Sequence, residues 1–154
     1  MTKANSTPLV DLANARYDDQ REEMERILVA GHCPFCPENL HLYHRTATER
    51  ETKYWVLTPN SWPYKHTKLH YLVILKRHAE NLFELLPEEG ADLFVLLASV
   101  QQEQAVPGGA MTMRFGATRY SAGTVKHIHA HFLVPDLDDP EYVPVRFKIG
   151  ADKS

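Results

Sequence analysis

The spacing of apolar residues predicts two helices. Residues 17–30 combine good helix formers with acids in the first turn, and Gly31 follows the last of them. A longer helix is predicted to begin at Pro87, a residue favoured in the first turn, and to end near residue 104. Its apolar positions recur at helical spacing: Leu93, Leu96, Leu97 and Val100. One face of this second helix is therefore expected to pack on a core.

Strands are predicted where shorter apolar or alternating runs are bounded by turn residues. Residues 40–48 and 53–59 are rich in β-branched and aromatic side chains, which indicates an antiparallel pair. The run from His70 to Lys76 is short for a helix and is predicted as a buried strand. Further strands are predicted within residues 107–125, 127–134 and 143–150. A mostly antiparallel sheet with two helices is an α+β fold.

Length and composition indicate one ordinary domain. A chain of 154 residues is long enough for one core. Residues 1–16 have little apolar content and are interpreted as an N-terminal arm, mobile or lying on the surface, ahead of a single domain of residues 17–154. The net charge of -3 gives no general attraction to nucleic acid. Because no segment resembles a membrane span or signal peptide, we expect a cytoplasmic protein without a membrane partner.

The stretch TVKHIHAHFLV places His127, His129 and His131 at alternate positions. In a strand these side chains share one face, because successive residues point to opposite faces. The other face is apolar and is predicted to enter the core: Ile128, Ala130 and Phe132. Neighbouring imidazoles would be about 7 Å apart, too far for adjacent ligands of one tetrahedral ion. Separate roles are favoured over a metal site within the three histidines, and over chance placement on a solvated face.

The two cysteines of the chain, Cys33 and Cys36, stand in the motif HCPFCPE. Two thiolates at this spacing are typical of a zinc site, but zinc takes four ligands, so two more must come from elsewhere. Histidine is the obvious source. A redox pair is the main alternative, although the motif does not begin a helix after a strand as thioredoxin-like motifs do. A pair without metal is the third.

These features together resemble the histidine triad (HIT) family, whose signature alternates three histidines with apolar residues. The Cys-x-x-Cys motif, the loop NSWPY and the strand HYLVILKRH occur in the family's order, so that the resemblance spans residues 32–135. It implies an antiparallel sheet with a long helix packed on it, often paired into a homodimer. It also implies chemistry at the α-phosphate of a nucleoside phosphoramidate, a dinucleoside polyphosphate or a related nucleotide.

The resemblance implies a closed, structural zinc site. In zinc-bearing members the metal is held by the two cysteines, the histidine after the basic pair and the first triad histidine. The matching positions are Cys33, Cys36, His78 and His127. Four protein ligands leave no open position for water. His32 and His66 are possible substitute ligands.

The resemblance also implies a covalent mechanism. His129 matches the family's nucleophile, which attacks phosphorus and forms a histidine-nucleotidyl intermediate. His131 matches the third triad position, expected to donate a proton or a hydrogen bond to the leaving group. His70 resembles a histidine that supports the nucleophile from the neighbouring strand, with a buried structural histidine as the alternative.

Substrate contacts are expected from the loop before the triad. The non-bridging phosphate oxygens need fixed donors, for which the amides of Gly123 and Val125 and the amide or hydroxyl of Thr124 are suited. Asn60 matches a ribose-contacting position, although a turn role before Trp62 explains it equally well. The base of the nucleotide is expected to bind around Asn60, Trp62 and Tyr64.

One departure and one agreement bear on the reaction. Many hydrolase members carry Gly-Gln-Ser where this chain has Ala122-Gly123-Thr124, so the glutamine's contact is missing. His131 favours hydrolysis, because the transferase branch commonly has glutamine there. A nucleotide hydrolase is therefore the leading interpretation. The alternatives are a nucleotidyltransferase or phosphorylase of the same family, and a nucleotide-binding module with little turnover.

Overall fold

The computed structural model describes residues 8–153, which fold around a five-stranded antiparallel sheet. In chain order the strands are β1 (Arg50–Glu51), β2 (Trp55–Pro59), β3 (Thr67–Leu75), β4 (Ala110–Arg114) and β5 (His129–Pro135). In space they lie in the order β1-β2-β3-β5-β4. The C-terminal strand β5 is therefore internal, and both of its edges are hydrogen-bonded.

Four α-helices accompany the sheet in the described residues: α1 (Asp18–Ala30), α2 (Pro37–Tyr43), α3 (Pro87–Glu103) and α4 (Thr118–Ser121). The two predicted helices correspond to α1 and α3. Helix α1 ends at Gly31, whose φ of 74° lies in the left-handed region that glycine adopts without strain. None of these helices is long and apolar enough to cross a membrane.

The main core lies between the sheet and helix α3. The apolar stripe of α3 packs against Trp55 of β2 and against inward-facing side chains of β3 and β5. Ile128 and Ala130 belong to this cluster, as the alternation predicts, and Phe132 packs at its edge. The α+β prediction is confirmed. The opposite face of β5 is left to the histidines.

Strand register fixes the neighbours of those histidines. On β5, His129 pairs with Ile74 of β3 and with Arg114 of β4, whereas His131 pairs with Leu72 and Thr112. His70 of β3 pairs with Leu133, which makes it a diagonal neighbour of His131 on the same face.

A second, smaller core joins the N-terminal segment to helix α1 and to the loop before β5. Val10, which is 1% exposed, forms an isolated β-bridge with Val125 and packs with Met24 and Ile27 of α1. A 3-10 turn, Leu12–Asn14, follows it. Residues 1–7 of the predicted arm lie outside the described residues.

Two predicted strands are wrong. Residues 40–48 begin inside helix α2, which Pro37 initiates in the first turn, where its missing N–H costs nothing. The partner of β2 is instead the two-residue strand β1. Residues 143–150 form no strand, since Pro144 removes a ladder donor and the segment runs along a cavity rather than beside β4.

Candidate functional site

Two cysteines and two histidines converge at one end of β5. Cys33 and Cys36 lie in the loop between α1 and α2, His78 follows β3, and His127 comes two residues before β5. Their Sγ and Nδ1 atoms all lie within 4.8 Å of one another. The structure therefore brings together the four residues predicted as metal ligands.

The distances within this Cys2His2 cluster suit a tetrahedral metal. His127 Nδ1 lies 3.3 Å from Cys33 Sγ and 3.8 Å from Cys36 Sγ, and His78 Nδ1 lies 3.5 Å from Cys36 Sγ. Zinc bonds of about 2.0–2.3 Å in a tetrahedron place ligand atoms about 3.3–3.8 Å apart. The donor atoms thus have the spacing of ligands around one ion.

The hydrogen bonds of the two histidines suit the cluster to binding a cation. His127 Nε2 donates to Leu75 O at 2.6 Å and His78 Nε2 donates to Glu80 Oε1 at 3.1 Å, which leaves both Nδ1 atoms without a proton in the neutral rings. These two lone pairs face each other at 3.2 Å. A cation between them relieves that repulsion, so the residues present fit a metal ion.

Burial favours the protonated, uncharged form of both thiols. Burial, followed by the neighbouring Cys33, raises the pKa of Cys36 to about 12, and burial also raises the pKa of Cys33. The candidate substitute ligands lie elsewhere. His32 is bonded to Tyr43 and His66 to Asp139.

His129 is held as a single tautomer. Its Nδ1 lies 2.7 Å from the carbonyl oxygen of His127, an acceptor only, so Nδ1 carries the proton and Nε2 keeps its lone pair. Burial, with Arg114 nearby as a smaller cause, lowers the pKa of His129 to about 4. The ring is therefore neutral at physiological pH, which is the state a nucleophile requires.

His70 and His131 form a chain with a defined proton order. The Tyr64 amide donates to His70 Nδ1 at 3.0 Å, so the neutral His70 ring carries its proton on Nε2. That Nε2 donates to His131 Nδ1 at 2.8 Å. The proton of His131 is consequently on Nε2, a buried atom with no hydrogen-bond partner among the described residues. The ring centroids of His131 and His129 are 5.1 Å apart, closer than the spacing of about 7 Å expected from strand rise.

Acid is expected to destabilise the fold through His70. Burial, followed by Arg16 and His129, lowers its pKa to about 3, against 6.5 in the unfolded chain. Between these pH values the unfolded state binds a proton that the folded state does not, so stability falls as pH falls. His70→Gln should therefore flatten the dependence of unfolding free energy on pH by about 1.4 kcal/mol per pH unit between pH 6 and 4. Urea titrations over this range measure it, and an unchanged slope would contradict the assignment.

A cavity of about 690 Å³ opens in front of the triad. Its lining includes His129 and His131 together with four predicted substrate contacts: Asn60, Gly123, Thr124 and Val125. The Gly123 amide donates to Ser121 Oγ at 3.1 Å, and a Cβ on Gly123 would lie 3.3 Å from Arg114 Cδ. The absence of a side chain thus lets the loop approach β4 closely.

Asn60 makes the hydrogen bond of a turn residue and also lines the cavity. Its Oδ1 accepts from the Trp62 amide at 2.9 Å, as a turn residue would. Its Nδ2 lies 3.1 Å from His70 Nε2, whose proton is already directed to His131. The amide hydrogens of Asn60 therefore remain available to a ligand in the cavity.

Several lining residues were not predicted to belong to the site. Arg16 and Tyr17 come from the N-terminal segment, Arg114 from β4, and Lys148 from the segment after β5. Arg114 donates to the backbone carbonyl of Lys148 at 2.6 Å and lies over the ring of Phe147. No local motif signals these positions, because each depends on contacts between segments far apart in the chain.

Comparison with known proteins identifies the family. The model of the HIT domain matches residues 51–137. No curated protein matches the sequence. Among solved structures, a hypothetical protein from Leishmania major is 29% identical, with a TM-score of 0.58 over 81% of this chain and 84% of that one.

Two further structures share the fold at lower identity. A Zn-bound histidine triad family protein from Mycobacterium smegmatis is 24% identical, with a TM-score of 0.53 over 75% of this chain and 82% of its own. A histidine triad nucleotide-binding protein from Candida albicans is 17% identical, with a TM-score of 0.57 over 80% and 85%. The chain therefore belongs to the HIT domain family, and this membership indicates nucleotide hydrolase or transferase chemistry.

Proposed function

We propose that this protein is a nucleotide hydrolase that acts at the α-phosphate through a histidine-nucleotidyl intermediate. The observation that carries the proposal is the hydrogen bond from His129 Nδ1 to the His127 carbonyl. It leaves Nε2 of His129 unprotonated, as a nucleophile must be, in a buried residue that lines the cavity. The nucleotide-binding name of the Candida albicans structure agrees with such a substrate.

The reaction has two displacements at phosphorus. In the first, His129 Nε2 forms a bond to the α-phosphorus while the bond to the leaving group breaks, and the leaving group takes the electron pair. The unpartnered Nε2–H of His131 is the donor placed to hydrogen-bond that group. In the second, water attacks the same phosphorus, the electron pair of the breaking P–N bond returns to Nε2 so that His129 is again neutral, and the proton lost by the water passes to solvent. The product is a nucleoside monophosphate.

The remaining lining residues bind the nucleotide. We assign the non-bridging phosphate oxygens to the loop of Gly123, Thr124 and Val125, which lines the cavity together with His129. The Gly123 amide already donates to Ser121 Oγ, so the donors assigned to phosphate are the Thr124 hydroxyl and the amides of Thr124 and Val125. Asn60 is assigned to the ribose through its free amide hydrogens. The base would lie between the aromatic side chains of the 60–64 loop and the apolar residues of α1 that face the cavity, Met24 and Ile27.

We further infer that the Cys2His2 cluster holds a structural zinc ion. Its donor set, spacing and paired Nδ1 atoms support the assignment, as does the Zn-bound Mycobacterium smegmatis structure. Four protein ligands close the coordination sphere, so the ion would fix structure. Cys33, Cys36, His78 and His127 would join the α1–α2 loop to the end of β3 and the start of β5.

Single-turnover kinetics test the hydrolase proposal. The protein is mixed with a fluorogenic nucleoside phosphoramidate or with a dinucleoside polyphosphate, quenched, and digested for mass spectrometry. A nucleotidyl adduct on the peptide that contains His129 supports the intermediate. Turnover in ¹⁸O-water should place the label in the nucleoside monophosphate. Tight nucleotide binding without turnover of either substrate would contradict the proposal and favour a binding module.

A further inference from the structure

The ring of Tyr64 lies between two guanidinium groups at the triad. Arg16 Cζ lies 4.0 Å from the ring centroid, and Arg114 donates to the Tyr64 hydroxyl at 3.3 Å. The same ring stacks on His131, with centroids 5.9 Å apart and planes inclined by 18°. Two fixed positive charges therefore flank the histidine that faces the leaving group.

Both guanidinium groups are positioned without a ligand. Arg16 donates from Nη2 to the carbonyl oxygen of Trp62 at 2.7 Å, and Arg114 donates to the carbonyl oxygens of Ser121 and Lys148. A guanidinium has five N–H donors, and Arg16 uses one of them in the bond to Trp62. Because Arg16 is exposed and lines the cavity, its other N–H groups can donate to a ligand. Donors fixed beforehand need no reorganisation when negative charge develops.

The charges around the cavity have one prevailing sign. Its described cationic residues are Arg16, Lys65, Arg114, Arg146 and Lys148. The acids in that lining are Glu23 and Asp152, which pair with Arg26 at 2.7 Å and with Lys148 at 2.8 Å respectively. A cationic amine would find no unpaired carboxylate in the described lining, whereas an anion would find several donors.

The proton order of the histidine chain leads to the same conclusion. His131 carries one proton, on Nε2, and its Nδ1 already accepts from His70. If His70 gave its Nε2 proton to His131, it could not take up another proton on Nδ1, because Nδ1 already accepts the hydrogen bond of the Tyr64 amide. The chain can thus donate a hydrogen bond but cannot release a proton without forming an imidazolate. Burial, the neighbouring histidines and both arginines hold the pKa of His131 well below its usual value. An amine leaving group needs a proton, whereas a phosphate departs as an anion.

Resting on the hydrolase proposed above, we infer that Arg16, acting with Arg114, selects nucleotides whose leaving group is a phosphate anion. The substrate class is a phosphoanhydride, such as a dinucleoside polyphosphate, rather than a phosphoramidate. As the bond from His129 Nε2 to the α-phosphorus forms, the bond from that phosphorus to the bridging oxygen breaks. The electron pair stays on the oxygen, which becomes a terminal phosphate oxygen, accepts the hydrogen bond of His131 and lies against Arg16.

Two substrates with the same nucleoside and α-phosphate test this inference. The first is diadenosine tetraphosphate, which releases ATP, and the second is adenosine 5′-phosphoramidate, which releases ammonia. The wild type should have the higher kcat/KM with the tetraphosphate. Arg16→Gln should lower the ratio of the two kcat/KM values by about tenfold or more, because a charge-assisted contact to the departing phosphate is lost. Arg16→Lys should lower the ratio less than Arg16→Gln does, since lysine keeps the positive charge but lacks the paired N–H donors of a guanidinium.

Arg21→Gln is the matched control. It removes the same charge from an exposed position on α1 outside the cavity lining, and should leave the ratio unchanged. A wild-type preference for the phosphoramidate, or an equal loss with both substrates in Arg16→Gln, would overturn the inference. If the wild type turns over neither substrate, the hydrolase proposal fails. In that case, equal affinity of wild type and Arg16→Gln for diadenosine tetraphosphate would overturn the role of Arg16 separately.

Discussion

Replacing His129 with glycine is expected to lower kcat/KM by about a thousandfold or more. The substitution removes the atom proposed to form the covalent intermediate, and losing a catalytic nucleophile costs at least this much in enzymes that use one. Steady-state hydrolysis of a nucleoside phosphoramidate and of a dinucleoside polyphosphate measures the effect, together with loss of the nucleotidyl adduct after acid quenching. Folding is checked by thermal unfolding, since the removed side chain is 5% exposed.

Two controls separate lost chemistry from lost structure. Added imidazole should partly restore turnover in His129→Gly, because the removed ring leaves space beside the cavity for a free nucleophile. His41→Ala replaces an exposed histidine of α2 that does not line the cavity, and should retain wild-type activity. Substantial turnover in His129→Gly without imidazole would show that another group attacks phosphorus.

Replacing Cys33 with serine is expected to remove bound zinc and to destabilise the protein by about 4 kcal/mol, in the range of the largest single-residue effects. For a chain of this size that lowers the melting temperature by about 8–16 °C. The reason is that three segments lose their common ion and leave two Nδ1 lone pairs facing each other at 3.2 Å. Metal analysis of the purified protein and calorimetry measure the two effects.

His32→Gln supplies the comparison for this result. His32 is adjacent to Cys33 but is bonded to the Tyr43 hydroxyl and lies outside the cluster, so the variant should keep its zinc and most of its stability. Stoichiometric zinc in Cys33→Ser would contradict the Cys2His2 assignment. That result would instead favour a metal site formed by the triad histidines.

The parts of the fold that could be predicted are those set by local spacing. Helix α3 follows from its apolar stripe, and the alternation around His129 correctly separates a core face from a histidine face. Residues 40–48 were misassigned, because the influence of Pro37 on the segment after it outweighs β propensity there. Residues 143–150 contain Pro144 and contact the side chain of Arg114 through the Lys148 carbonyl instead of pairing with a strand, which pattern alone does not reveal.

Some residues of the candidate site could also be predicted from local spacing, and others could not. Cys33 and His127 are recognisable because metal ligands and triad histidines have characteristic spacing. The placement of Arg16 against Tyr64, and the proton order from His70 to His131, depend on side-chain geometry across distant segments. Residue type and spacing therefore indicate the class of reaction, whereas the discrimination between leaving groups inferred above depends on contacts that form only in the folded chain.

The contact between the N-terminal segment and the loop before β5 has a consequence for refolding. Asn14 donates to the Gly123 carbonyl, and Asp11 accepts from Thr118, pairs more than a hundred residues apart in sequence. Closing so large a loop of chain is slow compared with forming local helices and hairpins. Nucleotide binding should therefore return later than helical circular dichroism when the denatured protein is diluted into buffer, because the loop proposed to bind phosphate is held by these long-range contacts.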